Sequence, residues 1–307
     1  MTDPRDQYAS FLPADLRPDQ ALRPESTWWR RRDVEAHIER VRRPESPLRV
    51  LLIHGAGTHA AALWPLAGAI ATRGVEVVVP DMPGYGRTRV GRPGRVRYDD
   101  WVAFAVDLAR AEAAADPRPL VVFGTSMGGM IAYEVAARSG VVTAAGATCL
   151  LDTRDPAVRR HAARFRWLGA VARPALRTVA PVADNLRVPI RFLADMRAIA
   201  NDPGLVRVVV ADRLGGGGRV PLGFLRSFLQ ATPSVEPEDF TACPFLLTHP
   251  AADRWTPPEL SIRFFDRIAA PKELVLLQNA GHYPVEAPGV HQLADALEEM
   301  RDRIIPG

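Results

Sequence analysis

Residues 120–129 read Leu-Val-Val-Phe-Gly-Thr-Ser-Met-Gly-Gly and run directly into Met-Ile-Ala-Tyr-Glu-Val-Ala-Ala-Arg at 130–138. A short apolar strand that turns within a few residues into a segment of helical period, with G-x-S-x-G at the turn, has the form of a nucleophile elbow. Gly124 and Gly128 let the turn pass close to adjoining backbone. Ser126 is then expected on a strained strand-to-helix corner, with its hydroxyl projecting from the sheet edge. The new helix offers unpaired N–H groups and the positive end of its dipole at the same spot.

Outward from this turn, the chain alternates strands and helices. Leu48–Ile53, Val75–Val79, Leu120–Phe123, Ala147–Leu151, Phe245–Thr248 and Glu273–Leu277 are near-continuous aliphatic runs, as strands covered on both faces of a parallel sheet require. Helical period marks Ala60–Arg73, Trp101–Ala115, Met127–Arg138, Pro258–Ala269 and Val290–Arg303. Val34, Ala36 and Ile38 alternate with polar residues, as a half-exposed edge strand would, and Thr27–Arg31 is its candidate hairpin partner. The pattern predicts an α/β, doubly wound architecture with a mostly parallel eight-stranded sheet flanked by helices.

Three domain-level expectations follow. Residues 1–26, rich in Pro, Asp and Arg without a period, read as an extended, loosely packed N-terminal arm. Residues 27–152 and 243–307 form the core. Residues 153–242 interrupt the alternation and read as an inserted helical lid over the strand ends, where α/β proteins bind ligands. In the lid, Phe165 with Leu168, Phe192 with Met196 and Ile199, and Phe224 with Phe228 stand three or four apart, as apolar helix stripes do. These stripes are candidate substrate-binding residues, or equally the lid's own core. Gly215–Gly218 lacks the lysine and the preceding strand of a phosphate-binding loop and reads as a lid loop.

A serine hydroxyl needs an activating base at neutral pH, and histidine is the side chain suited to it. Of seven histidines, His282 stands in Asn-Ala-Gly-His-Tyr-Pro (279–284), a loop directly after the last expected strand and at the same end of the sheet as Ser126. His37, His161, His249 and His291 fall in strand, lid or terminal-helix patterns that suit packing or surface roles. An acid must hold the imidazole tautomer from its far side. Asp253, after the strand ending in Thr248, fits the chain order Ser, Asp, His; Asp152 is the rival acid. His-Gly-Ala-Gly (54–57) after the first core strand can bring the N–H of Ala56 toward the serine, completing an oxyanion hole with the N–H of Met127. Asp81, opening Asp-Met-Pro-Gly-Tyr-Gly (81–86), reads as a structural turn residue that hydrogen-bonds nearby backbone.

Composition bounds the alternatives. With 47% hydrophobic and 24% charged residues over 307 positions, the chain is neither disordered nor fibrous. No apolar run reaches the roughly 18 residues of a membrane span, and residues 1–13 lack a signal-peptide core, so a cytoplasmic protein is expected. The net charge of +4 comes almost wholly from arginines scattered among acids, which argues for a solvated surface and against a nucleic-acid face. Cys149 and Cys243 lie in apolar stretches without paired spacing; neither disulfide, metal site nor cofactor is implied.

With His54–Gly57, Asp81–Thr88, Gly124–Gly129, Asp253 and Asn279–Pro284 in this order on these elements, the chain resembles the α/β-hydrolase superfamily over roughly residues 48 to 303. Within it, HGAG together with G-x-S-M-G-G is similar to the monoacylglycerol lipase and lysophospholipase group. The resemblance implies a helical lid, an acyl-chain tunnel beneath it, and small-molecule esters of single acyl chains, lipids included, as substrates. That group usually carries His before the serine, where Thr125 stands here. Ser rather than Asp at 126 argues against the epoxide hydrolases and haloalkane dehalogenases. Small-ester or lactone hydrolysis, a proline-type aminopeptidase using acids of the lid, and a non-catalytic binding protein are the competing readings.

Overall fold

The computed structural model describes residues 3–162 and 183–305. Their strands are β1 (Glu25–Arg31), β2 (Val34–Val41), β3 (Arg49–Ile53), β4 (Glu76–Pro80), β5 (Arg89–Val90), β6 (Leu120–Gly124), β7 (Ala144–Ala147), β8 (Arg187–Pro189), β9 (Arg219–Pro221), β10 (Phe245–Pro250) and β11 (Lys272–Leu277). The central sheet runs β1-β2-β4-β3-β6-β7-β10-β11, with the two-residue β5 paired to β2. From β4 to β11 neighbouring strands are parallel; β1, β2 and β4 pair antiparallel. This is the α/β-hydrolase fold, and it places the carboxyl ends of β3, β4, β6, β7, β10 and β11 along one edge of the sheet.

Every residue of β3, β4, β6, β7 and β10 is buried. Alternation within each strand sends one set of side chains to each face. Leu51, Ile53, Val78 and Val122 meet Trp101, Phe104, Ile131 and Tyr133 of the helices Tyr98–Ala115 and Met127–Ser139. Val50, Leu52, Val77 and Phe123 meet Trp64, Leu66, Leu293 and Leu297 of the helices Trp64–Thr72 and Gly289–Ile304. Two-sided burial explains why these strands lack the polar alternation of β2. The edge strand β11 differs, leaving Leu274 and Leu276 each 37% exposed.

The strand expected at Ala147–Leu151 lies three residues earlier, at Ala144–Ala147. Small side chains suit this ladder: a Cβ on Gly146 would sit 2.7 Å from the Phe123 ring. The apolar run beyond Ala147 leaves the sheet because its backbone finds other partners, the N–H of Thr148 donating to Gly124 O (3.0 Å) and that of Leu150 to Ser261 Oγ (2.9 Å).

Residues 3–24 are not the extended loose arm expected of them. Pro4–Ala9 is a helix capped by the Asp3 carboxylate, and Tyr8, Leu12, Leu16 and Leu22 are buried. Tyr8 stacks on Tyr283 with ring centroids 6.4 Å apart. Six helical residues followed by leucines at irregular spacing leave no period to read.

In the described parts of 153–242, the helices Pro156–Ala162, Pro203–Ala211 and Leu222–Gln230 accompany an unexpected two-stranded antiparallel sheet, β8 with β9. Its inner residues are the β-branched Val188 and Val220, each beside a proline that ends the strand. Among the described residues no helix is long and apolar enough to cross a membrane.

If the N-terminal segment is integral to the core, Leu12→Ala lowers the unfolding free energy by about 2–5 kcal/mol. Urea denaturation measures it; a change near zero would restore the loose arm.

Candidate active site

Glycines shape the corner at Ser126. A Cβ on Gly124 would stand 2.0 Å from Gly128 O, one on Gly128 2.4 Å from Ile53 O, and one on Gly129 2.0 Å from Cys149 O. A Cβ on Gly55 would stand 2.8 Å from Ser126 Cβ. Backbone at this separation admits no side chain. Ser126 itself takes φ 54° and ψ −127°, a region costing a non-glycine residue of order 1–3 kcal/mol that only firm surroundings maintain. The surroundings here include Thr125 N–H donating to Ile53 O (2.9 Å) and Ser126 N–H to Thr148 Oγ1 (3.1 Å). Thr125 is buried, its hydroxyl facing Ile53 O at 3.4 Å.

The structure brings Ser126, His282 and Asp253 together. Ser126 Oγ lies 2.8 Å from His282 Nε2, and His282 Nδ1 lies 2.7 Å from Asp253 Oδ2. An ionised carboxylate only accepts, so Nδ1 carries the proton and the serine hydroxyl donates to Nε2. Asp253 is buried and saturated. The N–H groups of Trp255 and Thr256 donate to Oδ1 at 2.8 Å each, and the Thr256 hydroxyl to Oδ2 at 2.8 Å. Burial raises the carboxyl's pKa, but the charge and hydrogen bond of His282 and the donors of Thr256 outweigh it, and the group ends below its ordinary value. The Trp255 ring packs 4.8 Å from the imidazole. Asp152 is turned elsewhere, into a bidentate pair with Arg154.

Within 120–136 only Ser126 and Met127 are not buried, and within 49–60 only Ala56 is not. Neither the Ala56 nor the Met127 N–H has a hydrogen-bond partner among the described residues. The loop bearing Ala56 is pinned on several sides. His54 Nδ1–H donates to Gly55 O (2.7 Å) while its Nε2 accepts from Met82 N–H (2.9 Å). The Thr58 hydroxyl donates to Gly55 O (3.0 Å). Ala60 N–H donates to Asp81 Oδ1 (2.7 Å). His59 Nε2 meets Asp212 Oδ2 at 2.7 Å, and Asp212 also accepts from the Tyr8 hydroxyl (2.9 Å). Gly57, at φ 89°, lies under the Met196 methyl, and a Cβ on Gly215 would stand 2.7 Å from Gly57 O. The glycine run is thus fitted onto this loop.

The residues expected to line a substrate path are dispersed. Phe165 and Leu168 lie outside the described residues. Phe192 and Met196 do not share a helix stripe. They occupy separate 3₁₀ turns, Ile190–Phe192 and Met196–Ala198, the second opened by Asp195 bonding Arg197 N–H. Phe192 is 53% exposed beneath the Arg191 guanidinium, whereas Met196 is buried over Gly57. Phe224 and Phe228 are core residues, packed on Trp101 at 4.9 Å and Tyr98 at 5.3 Å. Thr148, Thr256 and the loop-pinning role of His54 have no sequence signal, since each depends on what the fold sets beside it.

Burial depresses His54 to about 4 from 6.5. The unfolded chain therefore takes up a proton between these values that the folded chain refuses, and stability falls as pH drops through that window. The loss is about 3 kcal/mol across it. Denaturation curves from pH 7 to 4 should show a shallower slope for His54→Asn; an identical slope contradicts the assignment.

Comparison with known proteins bears on the family and the fold. YfhR of Salmonella typhimurium is 32% identical over 88 residues, 28% of this chain and 30% of that protein. Mouse protein phosphatase methylesterase 1 is 31% identical over 110 residues, 35% of this chain and 28% of that protein. The matches thus span about a third or less of these relatives. A soluble variant of Saccharomyces cerevisiae monoglyceride lipase, solved with a substrate analog, superposes with a TM-score of 0.74 at 20% identity, covering 93% of this chain and 97% of that one. A Bacillus coagulans carboxyl esterase gives 0.67 at 16% identity over 92% and 98%. The family model Hydrolase_4, described as serine aminopeptidase S33, matches residues 44–286, and the chain belongs to that family of hydrolases.

Proposed function

We propose that the protein hydrolyses carboxylic esters of single acyl chains through an acyl-enzyme on Ser126. The observation that carries this reading is the hydrogen-bonded run Ser126–His282–Asp253 beside the free N–H groups of Ala56 and Met127. His282 Nε2 takes the hydroxyl proton as Ser126 Oγ attacks the ester carbonyl. Asp253 stabilises the imidazolium formed, and general base assistance of this kind is worth about 10²–10⁴ in rate. The Ala56 and Met127 N–H groups hold the oxyanion, each donor contributing about 10²–10³ in kcat. The imidazolium then protonates the leaving alcohol, and a water activated by the same imidazole releases the acid.

The choice of ester over peptide rests on the acids of 153–242. An aminopeptidase needs a carboxylate free for the substrate amine. Asp184 pairs with Arg226, Asp202 caps the helix Pro203–Ala211, Asp212 holds His59, Glu236 holds Arg154 and Glu238 holds Arg267. Asp195 is bonded to its own turn and Asp155 to Arg263; Asp239, exposed, lies in the 3₁₀ turn Pro237–Asp239 ahead of β10, away from the carboxyl ends of the strands, and residues 163–182 contain no acid. In this reading the described parts of 153–242 act as a lid over the strand ends, with Met196 toward the acyl chain.

A fluorophosphonate probe should label the protein, and Ser126→Ala, with its fold intact, should label at least about 100-fold more slowly; labelling of that variant at an undiminished rate would overturn the assignment. In a nitrophenyl ester series from acetyl to palmitoyl, kcat/KM should rise by up to about 4-fold per methylene until the tunnel is full. A flat series would remove the acyl-chain specificity and leave the hydrolase.

A further inference from the structure

At the far flank of the sheet, a second serine, histidine and aspartate are joined in the same order. Ser26 Oγ lies 3.1 Å from His37 Nε2, and His37 Nδ1 lies 2.8 Å from Asp81 Oδ2. Three strands, β2, β4 and β3, separate β1, which carries Ser26, from β6, which leads to Ser126. The parallel with the first set extends to its surroundings. His37 and Asp81 are buried, and Asp81 accepts main-chain N–H bonds from Ala60 and Arg87 at 2.7 Å each, as Asp253 does from Trp255 and Thr256. The Trp28 ring stands 5.2 Å from His37 at 62°, where Trp255 stands 4.8 Å from His282 at 55°. Ser26 is exposed.

Asp81 fixes the proton on His37 Nδ1, so Nε2 presents its lone pair to the Ser26 hydroxyl. Ser26 lies in an extended antiparallel strand, with neither a helix start nor a glycine corner to supply oxyanion donors. Its reaction therefore needs a carbonyl already activated by a good leaving group. Trp28, 46% exposed, offers an aromatic face, and the Arg89 guanidinium lies 4.9 Å over that ring, where it favours a departing anion.

We propose that Ser26 is a second acyl acceptor, taking acyl groups from activated aryl esters through His37 and retaining them. Ser26 Oγ bonds to the acyl carbon as the carbon–aryloxide bond breaks. The hydroxyl proton passes to His37 Nε2 and from there to the aryloxide. The products are an O-acyl serine and a phenol. An alkyl ester without oxyanion donors is a poor substrate for water, so the acyl group stays.

The test uses the full chain carrying Ser126→Ala, incubated with p-nitrophenyl acetate and followed by intact mass and peptide mapping. One acetyl group is expected on Ser26, gained at least about 100-fold faster than on Ser10, an exposed serine whose hydroxyl bonds only the Gln7 carbonyl. Adding Ser26→Ala removes it, and His37→Gln slows it to the Ser10 rate. Acetylation of Ser26 no faster than of Ser10, or at an unchanged rate in folded His37→Gln, overturns the proposal. Should His37→Gln not fold, the ratio of Ser26 to Ser10 within one molecule decides alone.

Discussion

Backbone crowding at one corner governs the rest of the site. Four glycines, Gly55, Gly124, Gly128 and Gly129, are pressed against carbonyls and against Ser126 so closely that no Cβ could stand at any of them. The strand β6 can enter its following helix there only through a residue of positive φ, and that residue is Ser126. The hydroxyl is thereby held out of the packed interior while Thr125 before it and Gly128 beyond Met127 stay buried. The first N–H of the helix, that of Met127, falls beside it without a partner among the described residues, as helix starts allow, while those of Gly128 and Gly129 donate to Thr125 O and Ser126 O. Orientation of the serine and availability of a donor are thus two results of one steric fact.

The loop that carries Ala56 is in turn tied to parts of the chain remote from each other. His54 fastens it to Met82, Asp81 to the turn at Ala60, and Asp212 to His59. Asp212 follows the helix Pro203–Ala211, and it also accepts from the Tyr8 hydroxyl. A region that looks peripheral on the page of sequence thus bears on the position of one main-chain donor. The contact of Gly215 with Gly57 works in the same sense, because only a residue without a side chain can lie there.

Much of this was legible beforehand, for identifiable reasons. Central parallel strands are covered on both faces and so read as unbroken aliphatic runs, and the elbow and Asp253 each follow such a run; the His282 loop follows the edge strand β11, aliphatic in sequence but partly exposed. Asp253 and Asp152 both fit the chain order Ser, Asp, His; Asp152 could equally cap the entry to the following segment, and the structure turns it to Arg154. The reading misplaced β7 because its ladder is built of Ala and Gly, while the apolar stretch beyond it packs without pairing. It missed the N-terminal segment because isolated leucines around a six-residue helix carry no period. It put Phe192 and Met196 on one helix where two short turns divide them. Thr148, Thr256 and the Ser26–His37–Asp81 set lay beyond reach, since their partners are neighbours only after the sheet has closed.

The distance along the chain between Ser126 and His282, 156 residues, has a consequence for biosynthesis. At about 5–20 residues per second, the ribosome delivers the imidazole on the order of ten seconds or more after the hydroxyl. Throughout that interval the nascent polypeptide carries an unactivated alcohol, inert toward the esters around it. On the proposed reading, reactivity at residue 126 arrives with β11 and the loop after it, so that a molecule truncated before that loop has no activated alcohol at this corner.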